Sequence, residues 1–398
     1  MDHDILVSGG GIAGLTAAAA FGRAGFSVLC VDPAPPVTER DATGSDLRTT
    51  AFLQPARDFL DRAGLWETFA PHATPLQVMR IVDAGGPEPE PRVTKSFDAA
   101  DISDQPFGWN LPNWLLRREL VAALGRMDNV EFRAGTATAS LFTRTASAKV
   151  GLSDGTKVQV RLVVAADGRA SPMRQAAGIG VRTQRFGQKA LAFAVTHPEP
   201  HGNVSTEIHR TGGPFTLVPL PDHEGRPSSG IVWMEDGREA TRLMEIGTTE
   251  FEDAMTARSC GILGPLTLAS RRSIWPIVAQ EADRLTAERV ALVAEAAHVM
   301  PPIGAQGLNM SLRDLDSLLT LTRDHQDDIG GRRMLDAYER ARRPDIALRV
   351  GGIAMLNRMS QAEYPGMRDL RALGLEALYD LAPVRRTLMQ LGLGTKAG

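Results

Sequence analysis

A tight glycine turn set between two apolar strands leaves a chain few folds to choose from. Residues 4–32, DILVSGGGIAGLTAAAAFGRAGFSVLCVD, contain one. Ile5, Leu6 and Val7 form a short apolar strand, and Gly9, Gly11 and Gly14 fit the spacing G-x-G-x-x-G. The alanines at 17–20 suit a helix packed close to a sheet, and residues 28–31 form a second strand that ends at Asp32. The first glycine makes the turn, the second admits a pyrophosphate and the third lets the helix lie against the sheet. The acid closing the second strand takes ribose hydroxyls. These features announce a Rossmann-type α/β domain with a dinucleotide site. The motif alone does not decide between FAD and NAD.

A second constraint is the stretch VALVAEAAHVMPPIGAQGLNMSLRD, which begins at Val290. It reads as a buried strand (Val290, Leu292, Val293) followed by a corner that Pro301 and Pro302 stiffen by fixing φ. Gly304 and Gly307 then permit positive φ or a close approach of backbone to a ligand, and a helix is expected from about Leu308. A loop feeding a helix N-terminus aims unpaired N–H groups and the positive dipole end outward. The ligand there should be planar or anionic.

Between these stretches the patterning switches several times. Residues 37–48 read as an exposed loop ending in Asp46-Leu47-Arg48, and 49–70 return to helical spacing (Leu53, Phe59, Leu60, Leu65). Arg48 is either a solvated charge or, at the start of a helix beside a nucleotide, a phosphate contact. Residues 85–92 read as a loop tip, and 107–124 turn at Pro112 into an amphipathic helix carrying Asn113, Arg117 and Arg118. Alternation over 130–168 predicts a β-meander with a turn at Asp154-Gly155, closing on the strand 162–166 and Asp167-Gly168. Ser171 and Arg174 follow on a helix, so Asp167 marks a second strand-to-helix crossing. From 181 to 282 strands dominate, with residues 221–230 as a hairpin loop and 249–269 helical: an inserted sheet domain. Its single His, Trp and Met residues are read as packing. Helices are expected over 308–323 and 332–350, then a helical tail to 398 with Leu370, Leu373, Leu378 and Leu381 at helical spacing.

Composition narrows the function classes. At 398 residues the chain buries a large core in two or three domains. A net charge of −3 gives no case for nucleic acid. Cys30 and Cys260, far apart, argue for a reducing compartment and against disulfides or a cysteine metal site. No signal segment precedes the first strand, and no apolar run approaches the roughly 20 residues that span a bilayer. The expected location is the cytoplasm, at most with a peripheral membrane contact. Residues 332–398 hold 12 Lys/Arg and 7 Asp/Glu, +5 locally against −8 for the remainder. That suits either a solvated face or a basic docking surface. There is no G-x-S-x-G nucleophile elbow (the match at 151–155 falls on the turn of the meander), no H-E-x-x-H, no Walker A loop and no second G-x-G-x-x-G with strand and acid. One nucleotide has a permanent site; a second would have to visit.

The fingerprint at 9–14 with Asp32, the Asp167-Gly168 crossing and AEAAHVMPPIGAQGLN stand in a fixed order. That order resembles the single-component FAD-dependent aromatic hydroxylases, the p-hydroxybenzoate hydroxylase group, over essentially the whole chain. DLRTTAFL (46–53), GPFTLVPLP (213–221), PPIGAQGLNMSLRD (301–314) and YERARRPD…LNR (338–358) look most like the ubiquinone-biosynthesis hydroxylases. The resemblance implies that Gly9, Gly11 and Gly14 hold the FAD pyrophosphate, Asp32 the adenosine ribose, and Arg48 the flavin side of the cofactor. Asn113 and Arg117 lie in the segment touching pyrophosphate and ribityl, and Asp167 matches an acid implicated in NAD(P)H use. Glu295 stands where the family has an aspartate for the ribityl chain, Ala294 replaces a family glycine, and Ala305 replaces another. Backbone N–H groups of about Gly307, Leu308 and Asn309, after Gly304, would stabilise charge on the reduced flavin. Pro302 would offer its carbonyl to the substrate. His298 is the family histidine beside the flavin, either structural or catalytic.

The implied fold is the p-hydroxybenzoate hydroxylase one: a Rossmann-type FAD domain, an inserted mostly antiparallel substrate sheet and a C-terminal helical tail. Expected boundaries are 1–80, 107–180 and 283–345 for the FAD domain. An excursion at 81–106 and the sheet at 181–282 make the substrate domain, and 346–398 the tail. The implied activity is FAD-dependent hydroxylation of an aromatic ring with NAD(P)H and dioxygen through a flavin hydroperoxide, on a polyprenylated ubiquinone precursor. Three rivals remain open. One is a hydroxylase of a small aromatic acid, which would need a cation such as Arg210, Arg271 or Arg272; a second is a reductase or dehydrogenase of the same fold, which should run without dioxygen; the third is a flavin-loaded, inactive scaffold in a biosynthetic complex. Contact of the C-terminal helices with membrane or a complex, and homo-oligomerisation, also stay open.

Overall fold

The computed structural model describes residues 1–84, 90–210, 212–360 and 382–393. Most of the loop tip expected at 85–92, and the leucines at 370, 373, 378 and 381, lie outside the described residues. The first sheet has eight strands. Val290–Leu292, Lys157–Ala165, His3–Ser8, Val28–Asp32 and Val130–Ala134 lie side by side and parallel. Parallel strands covered on both faces should read as unbroken apolar runs, and Ile5, Leu6, Val7 and Leu29 are wholly buried. Helix Ile12–Arg23, rich in alanine, packs close on one face, with Ala17, Ala18 and Ala19 fully enclosed.

The expected meander holds only in part. Thr138–Arg144, Ser147–Leu152 and Lys157–Ala165 pair antiparallel in sequence, whereas Val130–Ala134 crosses to the far edge beside Val28–Asp32. Alternation identifies strands but not their partners. The helix expected from residue 49 begins at Gln54; Thr49–Leu53 is a strand paired with Gly108–Pro112. Two consecutive threonines favour the pleated backbone, and a partner strand that sequence spacing does not reveal decides the matter.

The second sheet has nine strands, led by the 16-residue Val181–Thr196 between Arg226–Asp236 and Ser273–Ala282. It also recruits Val78–Asp83 and Val93–Asp98 at one edge and His298–Val299 at the other. The expected loop at 221–230 is shorter: His223 pairs with Arg226 around Glu224 (φ 51°) and Gly225 (φ 74°). A two-residue turn with both φ positive matches the strand twist. Helix Thr248–Arg258 stops short of the expected 269, and Gly237–Glu245 is an unforeseen helix. Phe193, Phe215, Trp233 and Phe251 build a separate core here, with ring centroids 5.0 to 6.0 Å apart in three contacts. Helix Gln306–Asp324 starts two residues before Leu308, and Arg332–Ser360 runs ten residues past the expected end.

Candidate active site

In a parallel sheet the loops leaving the carboxyl ends of neighbouring strands converge, which makes that edge the natural crevice. Here the segments after Ser8, Ala165 and Leu292 meet there. They border a cavity of about 530 Å³ together with Asp46, Arg48, Thr49, Thr50, Asn113, Arg117 and the stretch 275–278 of the second sheet. That volume lies in the range of small-molecule sites.

The glycine turn explains itself atom by atom. Gly9 has φ 109°, and a Cβ there would sit 2.4 Å from the Ala166 carbonyl oxygen. A Cβ on Gly14 would fall 1.9 Å from the Gly9 carbonyl oxygen, so this glycine lets the helix approach its own turn. Gly11 is different: nothing lies within 4 Å of a Cβ, and the residue borders the cavity. Asp32 braces the turn, its two oxygens accepting from Gly10 N (2.6 Å) and Ala34 N (2.9 Å). Gly9, Gly14 and Asp32 shape the turn and do not border this cavity; Gly11 and Ile12 do.

Arg48 does reach the cavity, but not alone. Its Nε and Nη2 both donate to Asp46, at 2.8 Å each, and its guanidinium lies 5.5 Å from the Trp275 ring centroid. Asn113 Nδ2 donates to the same carboxylate (3.0 Å), while Asn113 Oδ1 accepts from Thr50 Oγ1 (2.7 Å). Burial alone would raise the Asp46 carboxyl, but hydrogen bonds from Arg48 and Asn113 hold it below its ordinary range. The bond to Asp46 keeps Arg48 protonated, and Glu295 adds to that field. Asp46 and Trp275 escaped the sequence reading. The signal for Asp46 was there: its Oδ1 accepts from Arg48 N two residues on, an Asx turn. Trp275, expected to be packing, had none.

Asp167 sits just outside the cavity, between Ala166 and Gly168, which border it. Its Oδ2 accepts from Met173 N (3.0 Å) and Ser8 Oγ (3.3 Å); burial lifts the carboxyl above its ordinary range. Asp167 Oδ1 and Arg117 Nε are buried without a partner among the described residues.

The loop 293–305 forms the remaining wall. Ala294 has φ 54° and Ala305 φ 55°, so both alanines that stand for family glycines keep the left-handed backbone. Glu295 is exposed to the cavity, and Pro302, Gly307 and Leu308 border it. Gly304 (φ 62°) shapes the turn behind them. Asn309 points elsewhere: Nδ2 donates to Ala51 O (2.7 Å) and Ala305 O (2.6 Å), and Oδ1 accepts from Leu53 N (2.8 Å). Its side chain stitches the helix to strand Thr49–Leu53. His298 borders the cavity with its ring 1% exposed and Nε2 held by Asp314 Oδ2 at 2.6 Å.

These residues suit a dinucleotide. Two helix N-termini without side-chain caps, at Ile12 and Gln306, end on the crevice. An open Gly11 and the unpartnered Asp167 Oδ1 and Arg117 Nε offer room, an acceptor and a donor for phosphate and hydroxyl groups. Among the described residues no cluster of His, Cys, Asp or Glu fits a metal ion.

The sequence matches the family described as FAD binding domain over residues 2–350. It is 32% identical to "Ubiquinone hydroxylase UbiL" of Rhodospirillum rubrum, across 98% of this chain and 90% of that one. It is 24% identical to the "3-demethoxyubiquinol 3-hydroxylase" of Escherichia coli, across 98% of both. Among solved structures, p-nitrophenol 4-monooxygenase PnpA from Pseudomonas putida superimposes with a TM-score of 0.80 at 19% identity, covering 99% of each chain. The chain belongs to the FAD binding domain family and is an FAD-dependent aromatic-ring monooxygenase with the p-hydroxybenzoate hydroxylase fold.

Proposed function

We propose that this enzyme hydroxylates the ring of a polyprenylated phenol in ubiquinone biosynthesis, consuming NAD(P)H and dioxygen. The observation that carries the reading is the make-up of the wall opposite the nucleotide loops. Trp275, Pro276, Ile277 and Val278 border the cavity together with Pro301 and Pro302, an apolar lining suited to an uncharged ring. Arg210, Arg271 and Arg272, the cations named for a small aromatic acid, do not border the cavity; the arginines that do, Arg48, Arg117 and Arg169, belong to segments read here as holding the cofactor. Arg271 donates to Ala42 O, and Arg272 to Leu243 O and Ile246 O. The likeness to the ubiquinone hydroxylase of R. rubrum points the same way.

In this reading Gly11 and the first-turn amides from Ile12 hold the pyrophosphate, supported by Arg117, and Asp32 holds the adenosine ribose. Asn113, Asp167 and Glu295 bind hydroxyls of the cofactor. Arg48, partly neutralised by Asp46, supports its flavin side. The amides at Gly307 and Leu308 sit on the positive end of a helix and stabilise negative charge. Bound FAD supplies electron transfer from NAD(P)H and the activation of dioxygen. The protein binds, orients and excludes water. Pro302 presents its carbonyl to the phenol hydroxyl, and the Trp275 side keeps the slot dry, which favours hydroxylation over release of hydrogen peroxide. His298, with Nε2 committed to Asp314, holds shape rather than moving a proton.

No helix among the described residues is long and apolar enough to cross a membrane. A prenylated substrate would therefore be met at a surface or delivered by a partner. The test is to purify the protein, record its visible spectrum, and add NADH or NADPH with a prenylated phenol, with a small aromatic acid, or with neither. Rapid flavin bleaching and hydroxylated product only with the prenylated phenol support the reading. Turnover only with the acid overturns the substrate class. Bleaching at one rate in all three arms overturns substrate-gated hydroxylation.

A further inference from the structure

The segment YERARRPD in helix Arg332–Ser360 has no place in the site just described, yet three of its neighbourhood's charges lead back to it. Arg342, Asp345 and Arg349 fall at i, i+3 and i+7, on one helical face. Arg342 Nε donates to Asp314 Oδ1 at 2.9 Å, and Arg342 Nη1 to Asp345 at 2.9 Å. Asp345 accepts from Arg349 Nε at 2.8 Å, and Arg349 Nη1 donates to Gln306 Oε1 at 2.8 Å. Gln306 Nε2 in turn donates to the Gly304 carbonyl at 3.0 Å. At the other end, Asp314 Oδ2 takes His298 Nε2 at 2.6 Å and the backbone N–H of Ala294 at 3.2 Å. The chain of bonds leaves the loop at 294 and 298 and returns to it at 304.

We propose that Asp314 is a positioning residue. This one buried carboxylate, through Arg342, Asp345, Arg349 and Gln306, ties both ends of the loop 294–306 to the long C-terminal helix. It thereby sets where Glu295 and the amides after Gly304 meet the cofactor. The inference rests on the FAD reading and deepens it. Asp314 is 0% exposed, His298 2% and Arg342 7%. Enclosing three ionisable groups is costly and a poor way to gain stability, so the return lies in geometry. Such geometry is needed here, because two alanines in the loop hold a left-handed backbone that their own side chains disfavour.

The test compares wild type, Asp314→Asn, Arg349→Met and the double variant, each as folded apoprotein and after FAD loading. Amide exchange over 294–306 in the apoprotein should quicken in Asp314→Asn. The Kd for FAD should rise about tenfold, equivalent to about 1.4 kcal/mol. Arg349→Met should move both in the same direction by less, and the double variant should match Asp314→Asn, since the ring acts as a unit. An Asp314→Asn protein that melts lower but keeps wild-type loop exchange and wild-type FAD affinity overturns the inference, as does strict additivity. Wild-type apoprotein that binds no FAD overturns the cofactor reading instead; the exchange data then still decide on the tether.

Discussion

The glycine turn at 9–14 and the loop at 294–306 do the same job by opposite means. Each leaves a parallel strand, faces the crevice and ends in a helix whose first turn borders the cavity. The first is shaped by its own glycines and by an acid on the next strand. Gly9 and Gly14 lack the Cβ that would strike a carbonyl, and Asp32, at the end of the neighbouring strand, locks Gly10. The second places alanine at φ 54° and 55°, where glycine would rest without strain, and relies on Asp314 and a helix some 30 to 50 residues downstream. One turn is written locally. The other is imposed from outside.

The largest break in that contrast should come from Gly14→Val. The new side chain meets a backbone carbonyl that cannot move without undoing the turn, and a loss beyond about 4 kcal/mol is expected, seen as insoluble protein or a lost melting transition. Asp314→Ala should come next, lowering stability by about 3–5 kcal/mol in urea titration, because it leaves Arg342 and His298 buried without their partner. Gly11→Val separates shape from binding. With open space around its Cβ, stability should change by less than about 0.5 kcal/mol. The purified protein should nevertheless be colourless, and full flavin loading would refute the placement of the pyrophosphate. Ala305→Gly is the mildest probe. Relief of left-handed strain is largely offset by glycine's extra freedom when unfolded, so a gain of at most about 1 kcal/mol is expected in the thermal melt.

Acid titration sharpens the same comparison. Asp314 is desolvated, yet its close contacts with His298 and the Arg342 guanidinium hold its carboxyl below the ordinary range. A depressed carboxylate adds stability that is fully present above its unfolded pKa of about 3.9 and is lost as pH falls through the lower folded value. Wild-type stability should therefore fall across the region below about pH 4, and Asp314→Asn should flatten that limb.

How far the sequence could be read follows from the range of the forces involved. The dinucleotide turn was legible because the requirement is local: a positive φ, a missing Cβ and an acid two elements on leave fixed spacings in the chain. The Pro301-Pro302 corner, and Glu295 ahead of it, border the cavity and were picked out through their resemblance to a known loop. Arg48 was found but not its neutralisation, since Asp46, Asn113 and Thr50 meet only when strand Thr49–Leu53 pairs with Gly108–Pro112. Asn309 was named for its backbone N–H in the turn; that its side chain answers to Ala51 and Leu53, more than 250 residues earlier, left no trace in the local spacing.

By itself, then, the sequence determined the class of fold, the cofactor domain and the two loops that border the cavity, because steric limits on single residues and short periodicities act along the chain. Tertiary structure alone decided that Val130–Ala134 sits at the far edge of the first sheet, that Trp275 covers Arg48, and that Asp314 gathers His298, Ala294 and Arg342. Pairings of that kind depend on which surfaces meet once the core has closed, and a buried charge finds its partners only there.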